Sequence, residues 1–118
     1  MSDARSTAFI DLTALRHNAS RLARAAGGAE LMAVVKANGY GLGAVEIAHA
    51  CIEAGARALL VATIDEAVEL RDAGLTAPIR VLWRVPPAYL RVAAERGIGV
   101  PATSPQVVEE ILGADLTG

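Results

Sequence analysis

Four apolar runs alternate with stretches of helical periodicity, and this order constrains the fold more than any other feature of the sequence. The runs lie at residues 31–36, 58–62, 79–83 and 98–101. The first of them lacks the apolar–polar alternation of a half-exposed strand and is typical of a strand that is buried on both faces. Strand–helix units of this kind produce parallel strands joined by right-handed crossovers. The chain is therefore predicted to form a parallel α/β sheet.

Signals at the helix ends delimit the helices between these runs. Gly27-Gly28 ends a helix that precedes the first run, and the spacing of Thr63 and Glu66 predicts a capping box at a helix start. Ser104-Pro105 predicts the start of the last helix, because proline is favoured at the first helical position. The predicted helices cover residues 15–26, 44–55, 64–74, 86–96 and 105–113.

Two architectures accept this order of elements: an open doubly wound sheet and a parallel (β/α)₈ barrel of the TIM type. Four strands are half of such a barrel, so in the second case only about the first four strand–helix units are present. Residues 1–118 would then form a single amino-terminal half-barrel, with the carboxy-terminal half of the barrel absent. Its inward side chains, such as Val34, Ala62 and Val81, would face water or a partner.

Composition and charge exclude several classes of protein. Hydrophobic residues make up 53% of the chain and the net charge is −2, which argues against intrinsic disorder. Cations are not clustered and aromatic residues are only 3% of the chain, so no nucleic-acid partner is expected. No apolar run is long enough for a membrane span, and residues 1–12 lack the apolar core of a signal peptide. The single cysteine fits a cytoplasmic protein.

The segment most informative about chemistry is residues 34–43, Val-Val-Lys-Ala-Asn-Gly-Tyr-Gly-Leu-Gly. Lys36 ends an apolar run, on the side of a parallel α/β sheet where reactive groups lie. Such a lysine can simply pack its stem and extend its ammonium into water. Alternatively, apolar neighbours make its amine a nucleophile that forms a Schiff base, as lysines do with pyridoxal phosphate. The glycines would let the backbone approach a bound group, and the Tyr40 hydroxyl could bind a phosphate.

A dinucleotide-binding unit is the competing interpretation of the same glycines. Residues 39–44 fit the pattern G-x-G-x-x-G/A, and the acids Asp65 and Glu66 follow about twenty residues later. However, three residues, Lys36 to Asn38, separate the apolar run from the first glycine, which normally forms the turn directly. Glu66 is also already used by the predicted capping box.

The lysine segment resembles a known family. Residues 34–41 are similar to the pyridoxal-phosphate attachment motif of alanine racemases, usually written AVVKANAYGHG. The opening residues, Phe9-Ile10-Asp11-Leu12 and Leu15-Arg16-His17-Asn18, are similar to the family's opening segment, and the resemblance continues to about residue 112. It implies the fold of the family, a TIM-type barrel that is followed by a β-domain absent from residues 1–118.

The resemblance also implies roles for individual residues. Lys36 would hold pyridoxal phosphate covalently and act as one of two acid–base groups on the substrate. Tyr40 would bind the cofactor phosphate, and Val34 and Leu82 would line the cofactor pocket. The second base would be a tyrosine from the partner subunit of a homodimer. The implied reaction interconverts L-alanine and D-alanine and supplies D-alanine for the cell wall; a relative that binds pyridoxal phosphate without turnover is the remaining alternative.

This sequence departs from the family pattern at a few positions. Leu42 stands where the family usually has histidine, Gly39 replaces alanine, and Trp83-Arg84 stands where small residues follow the third strand. We expect these departures to affect substrate choice and rate more than cofactor binding, and Gly39 to loosen the turn.

Other polar residues are not expected to form a site. His49 and Cys51 are two positions apart on a helix and so point to different faces, and no metal site is predicted. The acids of the helix at 64–74 are expected to form a solvated polar face around Arg71.

Overall fold

A computed structural model of the protein describes residues 5–117. Its elements are α1 (Leu12–Ala25), β1 (Met32–Val34), the short helical turn α2 (Lys36–Tyr40), α3 (Ala44–Glu53), β2 (Ala58–Val61), α4 (Ile64–Asp72), β3 (Ile79–Val81), a 3₁₀ turn (Pro87–Tyr89), α5 (Leu90–Glu95), β4 (Ile98–Gly99) and α6 (Pro105–Leu112). Every predicted helix and strand is present. The segment predicted to lack a signal peptide lies partly outside the described residues, since it begins at residue 1.

The four strands form one parallel sheet in the sequential order β1-β2-β3-β4. A doubly wound sheet reverses its strand order at a switch point and carries helices on both faces. A sheet that adds each strand beside the previous one, with right-handed crossovers, carries all its helices on one face and curves into a barrel wall. The predicted TIM-type architecture is therefore confirmed, and the open doubly wound alternative is wrong.

Strand register divides the sheet into two faces. One face packs against the helices and supplies the largest fully buried side chains, among them Leu59, Val61, Ile79 and Val35. The opposite face is open, and on it Val34 pairs with Leu60 and Leu60 with Arg80. Val34 is 38% exposed there.

The expectation that Val81 lies on the open face is wrong. Val81 is 4% exposed and pairs with Val61, so it belongs to the face that packs on the helices. Because side chains alternate along a strand, Arg80 and Leu82 take the open face instead. Ala62 is also buried, at 5% exposure, although Val34 is exposed as predicted.

Several predicted elements are longer than the observed ones. The first strand ends at Val34 rather than residue 36, because the backbone turns at Lys36. The fourth strand covers only Ile98–Gly99, whereas residues 98–101 were predicted. The helix predicted from residue 86 begins as a 3₁₀ turn, in which the Tyr89 N–H donates to the Pro86 carbonyl at 2.9 Å. None of the helices in the part of the chain that the structure describes is long and apolar enough to cross a membrane.

Arg71 is not part of a solvated helix face, contrary to the sequence prediction. Its guanidinium donates to four backbone carbonyls, those of Leu75 (2.7 Å), Ala77 (2.7 Å), Arg96 (2.8 Å) and Gly97 (2.8 Å). These carbonyls belong to the segments that enter β3 and β4. Arg71 therefore joins two strand–helix units at the edge of the sheet where the strands begin.

Candidate active site

Lys36 lies just beyond the carboxyl end of β1. The Val35 N–H still donates to the Leu60 carbonyl at 2.9 Å, so the strand ladder holds the backbone up to the residue before the lysine. Lys36 itself is half-buried. Within residues 5–117 its ammonium has no carboxylate within 4.0 Å and no hydrogen bond. The structure thus places a partly buried amine, without an ion-pair or hydrogen-bond partner among residues 5–117, at the edge where α/β barrels carry their reactive groups.

The residues after Lys36 form a left-handed turn. Ala37 (φ 52°, ψ 48°), Asn38 (φ 55°, ψ 46°), Gly39 (φ 64°, ψ 41°) and Tyr40 (φ 56°) all have positive φ. For residues other than glycine this conformation costs about 1–2 kcal/mol each. Backbone strain of this kind is concentrated at active sites and ligand clamps. Three of these four residues are not glycine, so the turn is strained.

Backbone hydrogen bonds close this turn. The Gly39 N–H donates to the Val35 carbonyl, and the Gly41 N–H donates to the Ala37 carbonyl, both at 2.9 Å. The Gly43 N–H donates to the Asn38 carbonyl at 2.9 Å. The turn is therefore a defined structure rather than an open loop.

Two side-chain acceptors fix the turn to its neighbours. Asn38 Oδ1 accepts from the N–H of Ala44, the first residue of α3, at 3.0 Å. Glu66 Oε1 accepts from the Ala37 N–H at 2.8 Å. Gly39 is buried against the start of α3, where an added Cβ would lie 3.2 Å from the Ala44 backbone. Glycine at this position lets the turn pack closely on α3.

The other predicted site residues lie on the same edge or the same face. Tyr40 belongs to the turn, is 61% exposed and has no hydrogen bond from its hydroxyl within residues 5–117. Val34 and Leu82 share the open face of the sheet and are 38% and 40% exposed. They are separated by β2, and Leu82 lies two residues beyond Arg80, the residue in register with Val34 through Leu60. The apolar surface of Val34 and Leu82 thus lies on the side of the sheet that carries the Lys36 amine and the Tyr40 hydroxyl.

Two of the residues that differ from the family pattern have exposed side chains. Leu42, which follows the left-handed turn, is 49% exposed, and Trp83, which follows β3 by two residues, is 60% exposed. Both lie beyond the carboxyl ends of their strands.

Glu66 and Arg71 are the residues whose roles the sequence did not indicate. Glu66 forms the predicted capping box with Thr63, but its carboxylate also reaches the residue after Lys36. The only signal in the sequence was the capping-box spacing, which does not reveal a second acceptor site on the same carboxylate.

The dinucleotide interpretation fails on the same geometry. Its candidate acid Glu66 accepts three backbone N–H groups and is not available to a ribose. The other acid, Asp65, is exposed in the first turn of α4. The first glycine of the pattern, Gly39, lies within a left-handed turn that begins after Lys36, instead of in the tight strand–helix turn on which that fingerprint depends.

Cys51 and His49 have separate environments. Burial raises the pKa of the Cys51 thiol, which keeps it protonated, whereas His49 is exposed. Among residues 5–117 no group of three or more His, Cys, Asp or Glu side chains could hold a metal ion.

Comparison with known proteins identifies the family. The family sequence model described as "Alanine racemase, N-terminal domain" matches residues 10–117. The chain belongs to the alanine racemase family. The alanine racemase of Mycobacterium avium is 46% identical over 108 residues, which are 91% of this chain and 28% of that protein.

Solved alanine racemases share the fold. The crystal structure of alanine racemase from E. faecalis superposes with a TM-score of 0.84 at 38% identity, over 88% of this chain and 28% of that one. The Bacillus anthracis enzyme with bound L-Ala-P has a TM-score of 0.82 at 38% identity, over 90% of this chain and 28% of that one. This chain thus spans less than a third of the length of these relatives.

Proposed function

We propose that this segment carries the cofactor lysine of a pyridoxal-phosphate-dependent racemase that interconverts L-alanine and D-alanine. The observation that carries the proposal is the free, half-buried amine of Lys36, placed at the carboxyl end of β1 and followed by a strained left-handed turn. The match to the alanine racemase amino-terminal domain over residues 10–117 supports the reaction class.

The residues present suit pyridoxal phosphate. Its aldehyde needs an amine without a competing ion pair, which Lys36 offers within residues 5–117. Its phosphate needs a donor, which the Tyr40 hydroxyl provides, and its ring needs an apolar surface, which Val34 and Leu82 provide. When bound, the ring withdraws electrons from the α-carbon of an amino acid.

The acid–base role of Lys36 follows from its place in this site. With pyridoxal phosphate held in this site, the Lys36 Nζ would take or return the α-proton of the amino acid from one face. Inversion requires a second acid–base group on the opposite face. We assign that group to a residue outside this chain segment, supplied by the partner subunit of a homodimer.

The same proposal sets the biological context. The substrate is alanine, a small molecule, and the product D-alanine serves the cell wall. Such a protein works in the cytoplasm, without nucleic acid or membrane as a partner. Support comes from the low net charge of −2 and from the single cysteine.

Reductive trapping tests the proposal on the complete gene product. Treatment with pyridoxal phosphate and then borohydride is expected to leave a reduced adduct on the peptide that contains Lys36, found by mass spectrometry. The Lys36→Ala variant is the control and should yield no specific adduct. An adduct on another lysine, or tight NAD binding with no adduct, would contradict the proposal. An adduct on Lys36 without inversion of alanine would instead indicate a binding protein that does not turn over.

Replacement of Tyr40 by phenylalanine is expected to weaken cofactor binding by about 1.5–3 kcal/mol, because it deletes one hydrogen bond to a charged phosphate. Fluorescence titration of the complete gene product with pyridoxal phosphate measures the change. Tyr89→Phe is the matched control, since Tyr89 is 46% exposed in the 3₁₀ turn and belongs to no part of the proposed site. Equal affinities for the Tyr40 variant and the wild type would remove Tyr40 from the phosphate site.

A further inference from the structure

The Glu66 carboxylate connects the ends of two neighbouring strands. Its Oε2 accepts from the N–H groups of Ala62 (2.6 Å) and Thr63 (3.2 Å), which follow β2. Its Oε1 accepts from the Ala37 N–H (2.8 Å), which belongs to the turn that follows β1. One half-buried carboxylate therefore binds three backbone donors at the edge of the sheet that carries Lys36.

A helix cap accounts for only part of this arrangement. In a capping box the Glu side chain returns to the backbone N–H of the N-cap residue, and the Thr63–Glu66 pair does so. The bond to Ala37 spans 29 residues and contributes nothing to the start of α4. It satisfies instead a backbone donor of the left-handed turn.

The position of this bond matters because Ala37 directly follows the reactive lysine. The N–H that Glu66 binds belongs to the peptide unit between Lys36 and Ala37. The strand ladder holds the chain on one side of that peptide, at Val35, whereas on the other side Ala37 has a strained φ that its contacts must maintain. Fixing the peptide plane fixes the backbone of Lys36, and with it the direction in which the lysine side chain leaves the strand end.

We propose that Glu66 is a positioning residue that orients Lys36 through the backbone N–H of Ala37. The inference rests on the proposed function, since it gives Lys36 the role of cofactor amine. Within residues 5–117 no carboxylate lies within 4.0 Å of the lysine ammonium, so Glu66 acts through the backbone rather than as an ion-pair partner.

Amide replacement separates the two roles of the carboxylate. The Glu66→Gln side chain has nearly the same shape but only one accepting oxygen. That oxygen is expected to stay with the two donors at Ala62 and Thr63, which leaves the Ala37 N–H facing an NH₂ donor. Thr63→Ala is the matched control. It removes the hydroxyl that accepts from the Glu66 N–H at 3.4 Å and leaves the carboxylate contact with Ala37 in place.

The experiment compares these variants in the complete gene product with two measurements. Amide hydrogen exchange without cofactor reports directly on the Ala37 N–H. The rate and affinity of Schiff-base formation with pyridoxal phosphate, followed by absorbance, report on the orientation of Lys36. Glu66→Gln is expected to accelerate exchange at Ala37 and to weaken Schiff-base formation by about tenfold or more, the usual value of a hydrogen bond to a charged group. Thr63→Ala should change neither by more than about twofold.

Glu66→Asp provides a second test if the glutamine variant does not fold. Aspartate keeps the charge and can still cap α4, but it is one methylene shorter and should lose the contact with Ala37. It is expected to reproduce both effects of Glu66→Gln on a folded protein.

Two results would overturn the inference. Equal effects of Glu66→Gln and Thr63→Ala would show that Glu66 acts only as a helix cap. Schiff-base formation on Lys36 that is equal in the wild type and in Glu66→Gln would show that the contact with Ala37 does not orient the lysine, and it would leave the proposed function intact. A wild-type protein that forms no Schiff base at Lys36 would count against the proposed function itself.

Discussion

Replacement of Arg71 by methionine is expected to lower the free energy of unfolding by about 3–5 kcal/mol, a large fraction of the stability of a typical domain. Methionine retains much of the apolar stem but none of the donors. The four carbonyls that Arg71 binds, at 2.7–2.8 Å, then lose a charged partner. Water can replace part of this loss because the site is half-buried. The residue joins the segments that enter β3 and β4, so its loss should loosen two strand–helix units together.

Denaturant unfolding of the complete gene product measures this change. Arg16→Met is the matched control, because Arg16 makes one exposed ion pair, with Glu53 at 2.7 Å, and such pairs contribute about 0–1 kcal/mol. Arg71→Lys should fall between the two, since three ammonium donors cannot reach four acceptors that were arranged for a planar guanidinium. If Arg71→Met unfolds at the same denaturant concentration as Arg16→Met, the four hydrogen bonds do not stabilise the fold as inferred.

The parts of the fold that depend on local signals could be predicted from the sequence. The capping box of Thr63 and Glu66 and the Ser104 cap, which accepts from the Val107 N–H, are both present. Such signals work because donor and acceptor are three residues apart in the chain. The choice between barrel and doubly wound sheet could not be made from the order of elements, because both have the same order and differ only in which strands become neighbours.

Most of the structural features that the sequence did not predict depend on contacts between residues that are distant in sequence. Arg71 and Glu66 bind backbone atoms up to 26 and 29 residues away, and helical periodicity carries no information about those partners. The same limit explains Val81: periodicity does not fix which of two alternating faces meets the helices until the register with Val61 is known. The left-handed turn escaped prediction for a different reason. Alanine and tyrosine seldom adopt positive φ, so only surrounding contacts, such as those of Asn38 and Glu66, hold Ala37 and Tyr40 there.

Residues 1–118 prepared alone are expected to associate and to show no racemase activity. The open face of the sheet exposes apolar side chains, with Met32 at 36%, Val34 at 38% and Leu82 at 40% exposure. The edge strands β1 and β4 each have one neighbour among the described residues, which leaves backbone donors and acceptors free to pair with another chain. Inversion of alanine needs a second acid–base group opposite Lys36, which we have assigned to residues outside this segment.

Sedimentation and an alanine inversion assay, both with pyridoxal phosphate present, test this expectation. Sedimentation should show a mass above that of a monomer, rising with concentration. Val34→Lys should reduce association because it places a charge on the open face, whereas Leu22→Lys, on α1 and 61% exposed, should leave association unchanged. A concentration-independent monomer would contradict the role of the open face and edges. Inversion at an enzyme-like rate by residues 1–118 would overturn the assignment of the second base, because Lys36 would then have its partner within this segment.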